Sequence, residues 1–281
     1  MDEDLKRLIP PLIIFVLLVQ VVHLHFEISE LKNEIKGLKS QQRQYTQIIW
    51  SEYGRDIYAT IEYLQKTRPD IMKILRNASL AVSEISTQNF HARYDAKEGV
   101  FWVWYDPYSY IERDIVYIEL TAYYQNGTRV KDFPEIEYQV NHTTGEVLGV
   151  SRNTAERTVE RAYLRLHKNI TASIGLRIIQ EASWQSLGVF PDDGKWVVVE
   201  MKCASTKNIS LCWFVIGEVD KKTGMLRKLE VTRPFQESDE KEVELRMIKE
   251  SNYSNPTARE IKRSILNMSG GLLLNITFPN S

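Results

Sequence analysis

Two short stretches of the chain share one pattern of apolar and polar residues. Residues 138–150 read YQVNHTTGEVLGV, and residues 217–229 read GEVDKKTGMLRKL. In each, an apolar run ends at an Asn or Asp, whose side chain can bond the backbone two positions on. A glycine then allows the positive φ of a tight hairpin, and a new apolar strand follows. The two glycines are 79 positions apart, so the pattern predicts two small antiparallel sheets with the same final hairpin.

Runs of β-branched and aromatic residues predict the other strands. These runs are residues 99–106, 114–124 and 135–141 in the first half, and residues 195–202, 211–219 and 225–232 in the second. Helical composition covers residues 55–86, with a break near Pro69, and residues 154–188. Each half therefore reads as a helix followed by an antiparallel meander. A helix packed on such a sheet predicts an α+β fold.

The C-terminal part carries one clear helix signal. Thr257 and Glu260 form a predicted capping box, and Gly270 ends the helix. Residues 271–278 then read as a strand, whereas residues 240–250 suit either a strand or a helix.

The longest apolar stretch is at the N-terminus. Residues 8–26 are apolar except for Gln20, His23 and His25. As a helix these residues extend about 28 Å, roughly the thickness of a hydrocarbon core. No small-residue cleavage site follows, so the stretch is predicted to be an uncleaved transmembrane signal anchor. The alternative is a buried core helix. Basic residues flank both ends and do not fix the orientation.

A heptad pattern follows the apolar stretch. Ile at a and Leu at d favours two parallel helices, and the residues that follow this spacing are Ile28, Leu31, Ile35 and Leu38. At the g and e positions Glu27 can reach Lys32 of a partner, and Glu34 can reach Lys39. The seam continues less regularly through residues 42–49. The pattern predicts a homodimer joined by a coiled-coil stalk, and the alternative is one amphipathic helix packed on its own chain.

Glycosylation sequons are frequent in the chain. Eight N-x-[ST] sites without an intervening proline all follow the apolar stretch: Asn77, Asn126, Asn141, Asn169, Asn208, Asn252, Asn267 and Asn275. Their number predicts a glycosylated surface and an extracytoplasmic location for the part after the anchor. The net charge of −1 argues against nucleic-acid binding.

The two cysteines support this location. Cys203 and Cys212 flank an eight-residue loop between two predicted strands. A disulfide across that hairpin suits an oxidising compartment, and the alternative is two free buried thiols.

Candidate chemistry is sparse. The five histidines include no H-x-x-x-H pair, and neither a G-x-S-x-G motif nor a phosphate-binding glycine loop is present. We therefore predict no catalytic, cofactor-binding or metal-binding residues, and no enzyme activity. One strand, residues 101–105, places Trp102 and Trp104 on the face opposite Phe101, Val103 and Tyr105. If the tryptophans are exposed they form a patch for a peptide, a glycan or a partner domain; the alternative is packing inside the protein.

The two Thr-Gly turns resemble the ending of PepSY domains, small α+β modules of the cystatin-like type. The resemblance covers residues 153–232 well and residues 71–150 loosely, and the first unit departs from it in its aromatic strand and short helix. It implies two tandem modules that bind or restrain a peptidase or another partner, with no fixed catalytic residues.

The predicted organisation is a cytoplasmic tail and anchor in residues 1–27, a stalk in residues 28–52, two PepSY-like units in residues 53–152 and 153–233, and an extension in residues 234–281. We predict a single-pass glycoprotein of the cell membrane that binds an unknown protein or peptide ligand without cofactors, and so restrains a peptidase or organises an envelope complex. The alternatives are a structural subunit of a surface layer or filament, and a hydrolase with an unrecognised site.

Overall fold

The computed structural model describes residues 3–75, 77–107, 110–131, 133–173, 183–205, 210–236 and 257–279, with the side chains of the first helix described from Gln20 onward. Over these residues the fold is α+β, with four helices and two antiparallel sheets. The helices are α1 (Glu3–Thr67), α2 (Pro69–Met72), α3 (Arg152–Ser173) and α4 (Ala258–Met268).

Sheet A contains the first six strands in the order β3-β2-β1-β4-β5-β6. Their bounds are β1 (Ala78–Ser86), β2 (Phe90–Asp95), β3 (Val100–Tyr105), β4 (Ile115–Tyr124), β5 (Ile136–Asn141) and β6 (Glu146–Val150). Two meanders thus meet at the β1–β4 pair. The second half of α1 packs on one face, because Ile57 and Leu64 are fully buried against apolar residues such as Ile118 and Tyr138.

Sheet B has the order β12-β10-β9-β8-β7, and β11 also pairs with β9. The bounds are β7 (Ser183–Asp192), β8 (Lys195–Ser205), β9 (Ser210–Asp220), β10 (Leu226–Thr232), β11 (Phe235–Gln236) and β12 (Leu272–Thr277). The C-terminal strand β12 pairs with β10, so it is an edge strand of this sheet.

Helices cover both faces of sheet B. Trp213 and Val215 pack with the α3 residues Val159 and Tyr163. The alternate residues of the same strand, Cys212, Phe214 and Ile216, pack with Ala258, Ile261 and Ile265 of α4. Because successive strand residues point to opposite faces of the sheet, each set packs against a different helix, and both sets are buried. This explains why residues 196–199 of β8 and 211–216 of β9 are uninterrupted apolar runs.

The structure corrects the predicted membrane anchor and separate stalk. No helix in the part whose residues are described is both long and apolar enough to cross a membrane. Residues 8–26 and the heptads instead belong to one continuous 65-residue helix. From Gln20 onward the described apolar run is short, since His23 and His25 interrupt it and Glu27 follows. The predicted anchor, stalk and first-unit helix are therefore a single element.

Two helix predictions were also wrong at their ends. Residues 78–86 were predicted as helix but form β1, where Val82 and Ile85 face the core across a bulge that hides the strand alternation. The predicted helix at residues 154–188 ends as helix at Ser173, and Ser183–Asp192 forms β7. The stretch between these two elements lies outside the described residues.

Candidate binding surfaces

The repeated turn has the same hydrogen bonds in both copies. Gly145 N–H donates to Asn141 O over 2.7 Å, and Gly224 N–H donates to Asp220 O over 2.9 Å. The side chains of Asn141 and Asp220 each accept a bond from the backbone N–H three residues on, at 2.9 and 2.8 Å. Both glycines have positive φ, +74° and +68°. The turns therefore close the two sheets in the same way, and their role is architectural.

A buried carboxylate ties α1 to the first turn. Asp56 is fully buried on α1, and its Oδ2 lies 2.5 Å from His142 Nδ1. Arg55 donates to Asp56 Oδ1 and to the His142 carbonyl. The Tyr53 ring packs beside His142 with ring centroids 4.9 Å apart. No nucleophile among the described side chains bonds this His142–Asp56 pair, so we assign it a role in fixing the helix on the turn.

The heptad residues are uncovered in the single chain. Four of them are about half exposed: Ile28 49%, Leu31 55%, Ile35 52% and Leu38 51%. Ile49, which continues the same seam, is instead 2% exposed and lies in the core of sheet A. Lys39, just past Leu38, forms an ion pair with Glu98 of the β2–β3 turn. The helix therefore leaves its own sheet near Lys39, and the four heptad residues before it face solvent.

The two tryptophans predicted to share a face are exposed. Trp102 and Trp104 are 42% and 43% exposed. Phe101, which lies on the opposite face of β3, is fully buried. Tyr105, on the Phe101 side, is also exposed because β3 ends there. We call the open surface formed by Glu84, His91, Arg93, Trp102 and Trp104 the tryptophan face.

Neighbouring side chains hold both tryptophan rings in place. The His91 ring stacks on Trp104 at 5.6 Å and 13° between planes. His91 is itself fixed, with Nδ1 2.7 Å from Ser86 Oγ and Nε2 3.0 Å from Asp106 Oδ2. Trp102 lies beside the Asp95 carboxylate, where the backbone N–H of Glu98 and, to a lesser extent, the Trp102 side chain hold the pKa of that carboxyl below its ordinary value. Rings fixed in this way lose little conformational entropy on contact with a partner.

A groove that the sequence did not predict lies where the two sheets meet. Its volume is about 1080 Å³, and its walls are α3, residues 129–131 and 133–136, the second Thr-Gly turn and the end of β12. The apolar lining residues are Phe133, Ile136, Ala162, Leu166, Met225, Leu226, Ile276 and Phe278. The charged lining residues are Arg68, Arg129, Lys131, Arg161, Arg165 and Glu135. The groove thus combines an apolar floor with an excess of positive charge.

The cations of the groove differ in how they are paired. Arg68 donates twice to Asp70, and Arg129 pairs with Glu135. Burial favours the protonated form of Glu135, but Arg129 and the arginines of α3 outweigh it and hold the pKa of this carboxyl below its ordinary value. Arg161 is 3.9 Å from Glu135, a weak contact.

The remaining predicted site residues are the sequon asparagines and the two cysteines. The sequon residues Asn77, Asn126, Asn169, Asn267 and Asn275 are exposed. Asn141 is half-buried in the first turn, and Asn208 and Asn252 lie outside the described residues. The predicted bridge between Cys203 and Cys212 is confirmed, since the two residues face each other across β8 and β9 and form a disulfide. Over the described residues, no cluster of His, Cys, Asp and Glu could hold a metal ion.

Comparison of the chain with known protein families, curated proteins and solved structures found no match. The resemblance to PepSY domains therefore stays a prediction.

Proposed function

We propose that the chain is a non-enzymatic, extracytoplasmic binding protein that holds a protein or peptide partner on the tryptophan face. The observation that carries this proposal is the pair of half-exposed tryptophans on one face of β3, an edge strand of sheet A. Exposed aromatic side chains supply large contact area at low entropy cost and are common at interfaces. The Arg93–Glu84 ion pair beside the rings adds charged groups of both signs, which suits a polypeptide.

The extracytoplasmic location is part of the proposal. Five exposed sequon residues support it, because oligosaccharide attachment requires an accessible Asn side chain. The Cys203–Cys212 disulfide supports it as well, since such bonds persist in oxidising compartments. Mass mapping of protein from its source cells should find glycans on several of these residues. Protein without glycans and with both thiols free would contradict this location.

Site-specific crosslinking tests the binding surface. A photo-reactive residue in place of Trp104 should give a discrete adduct with the partner in the native compartment. The same residue in place of Leu148, which is 45% exposed on the far edge strand of sheet A, should not. Trp102→Ala with Trp104→Ala should then weaken binding of the captured partner at least tenfold, while Tyr105→Ala should change it little. An equal adduct from both positions, or capture of glycan alone, would contradict the proposal.

We also propose that the partner-binding units are held as a parallel homodimer through α1. The uncovered stripe of Ile28, Leu31, Ile35 and Leu38 supports this, because an exposed apolar patch of this kind marks an interaction surface. The Glu and Lys residues beside the stripe match a parallel partner, but exposed ion pairs contribute only some tenths of a kcal/mol each. The apolar seam must therefore supply most of the association energy.

Disulfide crosslinking through Leu38→Cys tests the dimer. The full-length variant should form a crosslinked dimer, and Leu31→Asp with Ile35→Asp should abolish it. Charge reversal at Lys32 should only weaken it. Large polymers instead of dimers would favour the filament alternative, and a monomer without crosslinks would overturn the proposal.

A further inference from the structure

We infer that the groove between the two sheets is a second binding site, and that its ligand is an extended acidic peptide segment with apolar side chains. We call this groove, lined by Lys131, Arg161 and Arg165 above an apolar floor, the arginine groove. It is separate from the tryptophan face and does not depend on the function proposed for that face.

The charge of the groove determines the sign of its ligand. Lys131 and Arg165 have no acidic partner among the described residues, and Arg161 has only the 3.9 Å contact with Glu135. Arg129 and Glu135 neutralise each other. Among the described lining residues, the charges of Lys131, Arg161 and Arg165 therefore remain available to a ligand. Cations that line a concave, partly apolar wall attract anions more strongly than the same charges on an open surface, because the wall focuses the field.

The spacing of the cations indicates an anion with several charges. Arg161 and Arg165 are four residues apart on α3, so their side chains project from the same side of the helix about 6 Å apart. Side chains two residues apart on one face of an extended peptide are separated by nearly the same distance, roughly 6.7 Å. Lys131 belongs to a different element of the lining, the loop before β5. A lipid with a single carboxylate would satisfy one of these cations, whereas alternate acidic residues of a peptide can satisfy all three.

The floor of the groove indicates the rest of the ligand. Phe133 and Ile136 are buried in its lining, and Leu226 and Phe278 are partly exposed along it. Apolar side chains on the second face of the same peptide would cover this surface. Its volume of about 1080 Å³ is just above the usual range for single small-molecule pockets, which leaves room for several residues.

Fluorescence anisotropy with full-length protein tests the inference. The probe is a labelled ten-residue peptide of alternating Glu and Leu, with matched peptides in which Gln or Lys replaces Glu. The Glu peptide should bind saturably, the Gln peptide at least tenfold more weakly, and the Lys peptide not at all. Binding of the Glu peptide should weaken as NaCl concentration rises.

Charge-reversal variants locate the site. Lys131→Glu with Arg165→Glu should weaken binding of the Glu peptide at least tenfold. Arg259→Glu with Arg263→Glu makes the same change in net charge on α4, on the other face of sheet B, and should leave binding within about twofold. Circular dichroism should show both variants folded. A weaker variant, Arg165→Gln, should still reduce affinity severalfold if the first pair fails to fold.

Two further arms separate this site from others. Trp102→Ala with Trp104→Ala should bind the Glu peptide like the wild-type protein, so the tryptophan-face proposal can fail without affecting this result. Palmitate should not displace the peptide. Loss of peptide binding in the tryptophan variant, equal loss in the Arg259 and Arg263 variant, displacement by palmitate, or no saturable binding of the Glu peptide would each overturn the inference.

Discussion

The backbone N–H of Val150 donates to the carbonyl oxygen of Lys221 over 2.7 Å, which joins the last strand of sheet A to the second Thr-Gly turn. Trp196 Nε1–H donates to the Val150 carbonyl over 2.9 Å, and the Lys221 ammonium lies over the Trp196 ring at 4.4 Å. The end of one unit is thus held by the turn of the other. The apolar core is correspondingly continuous from α1 through both sheets.

This junction predicts that Gly149→Ala is strongly destabilising. Gly149 has φ +133°, and a Cβ there would lie 2.4 Å from the Lys221 carbonyl oxygen. The substitution should lower the free energy of unfolding by about 3 kcal/mol or more, because the cost of backbone strain and the cost of the clash with the main chain are added together. Urea denaturation measures the change.

Gly54→Ala is the matched control for Gly149→Ala. Gly54 lies inside α1, and no atom lies within 4 Å of a Cβ built there. This substitution should stabilise the protein by roughly 0.5–1 kcal/mol, since alanine favours the helix. Equal effects of the two substitutions on the free energy of unfolding would contradict the prediction, because they would show that the close backbone contact between the two units does not require a glycine at position 149.

The packing of α3 on β9 predicts a compensating pair. A Cβ at Gly217 would lie 2.1 Å from Val159 Cγ2, so Gly217→Ala should destabilise by about 1–3 kcal/mol through overpacking. Val159→Ala removes the clashing methyl groups and alone should cost a cavity penalty of similar size. The double variant should be more stable than the sum of the two single effects, with a coupling of about 1 kcal/mol or more. Additive effects in a double-mutant cycle would show that the two residues do not contact.

The sequence predicted those features that short-range rules determine. The two Thr-Gly turns, the alternation that exposes Trp102 and Trp104, and the bridge between Cys203 and Cys212 each depend on residues close in the chain. The structure was needed to show that the tryptophans are exposed, because alternation alone does not indicate which face of the strand is covered.

Features that depend on distant segments could not be predicted. The arginine groove combines Arg68, residues 129–131 and 133–136, α3, the second turn and β12, so no local pattern marks it. The heptad pattern likewise does not reveal that Ile49 leaves the seam and enters the core of sheet A, because an apolar residue suits either environment. For the same reason the sequence predicts an anchor, a stalk and a first-unit helix where the structure has one continuous α1. The apolar stretch and the heptads suggest different environments.

The disulfide is expected to contribute measurably to stability. It closes a loop with a sequence separation of 9, and chain entropy gives about 2.5 kcal/mol for a loop of this length. Reduction of the wild-type protein should therefore lower the free energy of unfolding by roughly this amount. The reductant should have no effect on Cys203→Ser with Cys212→Ser, which serves as the control. An unchanged wild-type stability under reducing conditions would show that the bridge restrains little of the unfolded chain.

Glu200 predicts a dependence of stability on pH. The residue is 1% exposed on the α3 face of β8, and its Oε2 has no hydrogen-bond partner among the described residues. Burial, together with Glu156 and Glu160 of α3, raises the pKa of this carboxyl to about 8 from 4.5, although Lys202 opposes the shift. Glu200 is therefore neutral in the folded protein at pH 7 and ionised in the unfolded chain.

The sign of the effect follows from proton binding. Between pH 4.5 and about 8 the unfolded chain loses the Glu200 proton and the folded protein keeps it, so stability falls as pH rises through this range. Below pH 4.5 both states are protonated, and above about 8 both are ionised, so the contribution is constant in each region. Each pKa unit corresponds to about 1.4 kcal/mol, which sets the total at a few kcal/mol.

Glu200→Gln should remove this dependence. The variant should gain stability relative to the wild-type protein as pH rises from 4.5 to about 8, and the difference should then level off. Glu146→Gln, a change at an exposed residue of sheet A, should show no such trend. Urea denaturation at pH 5, 6, 7 and 8 measures both variants. A constant difference between Glu200→Gln and wild type over this range would mean that Glu200 is already ionised in the folded protein. The raised pKa assigned to this carboxyl would then be wrong.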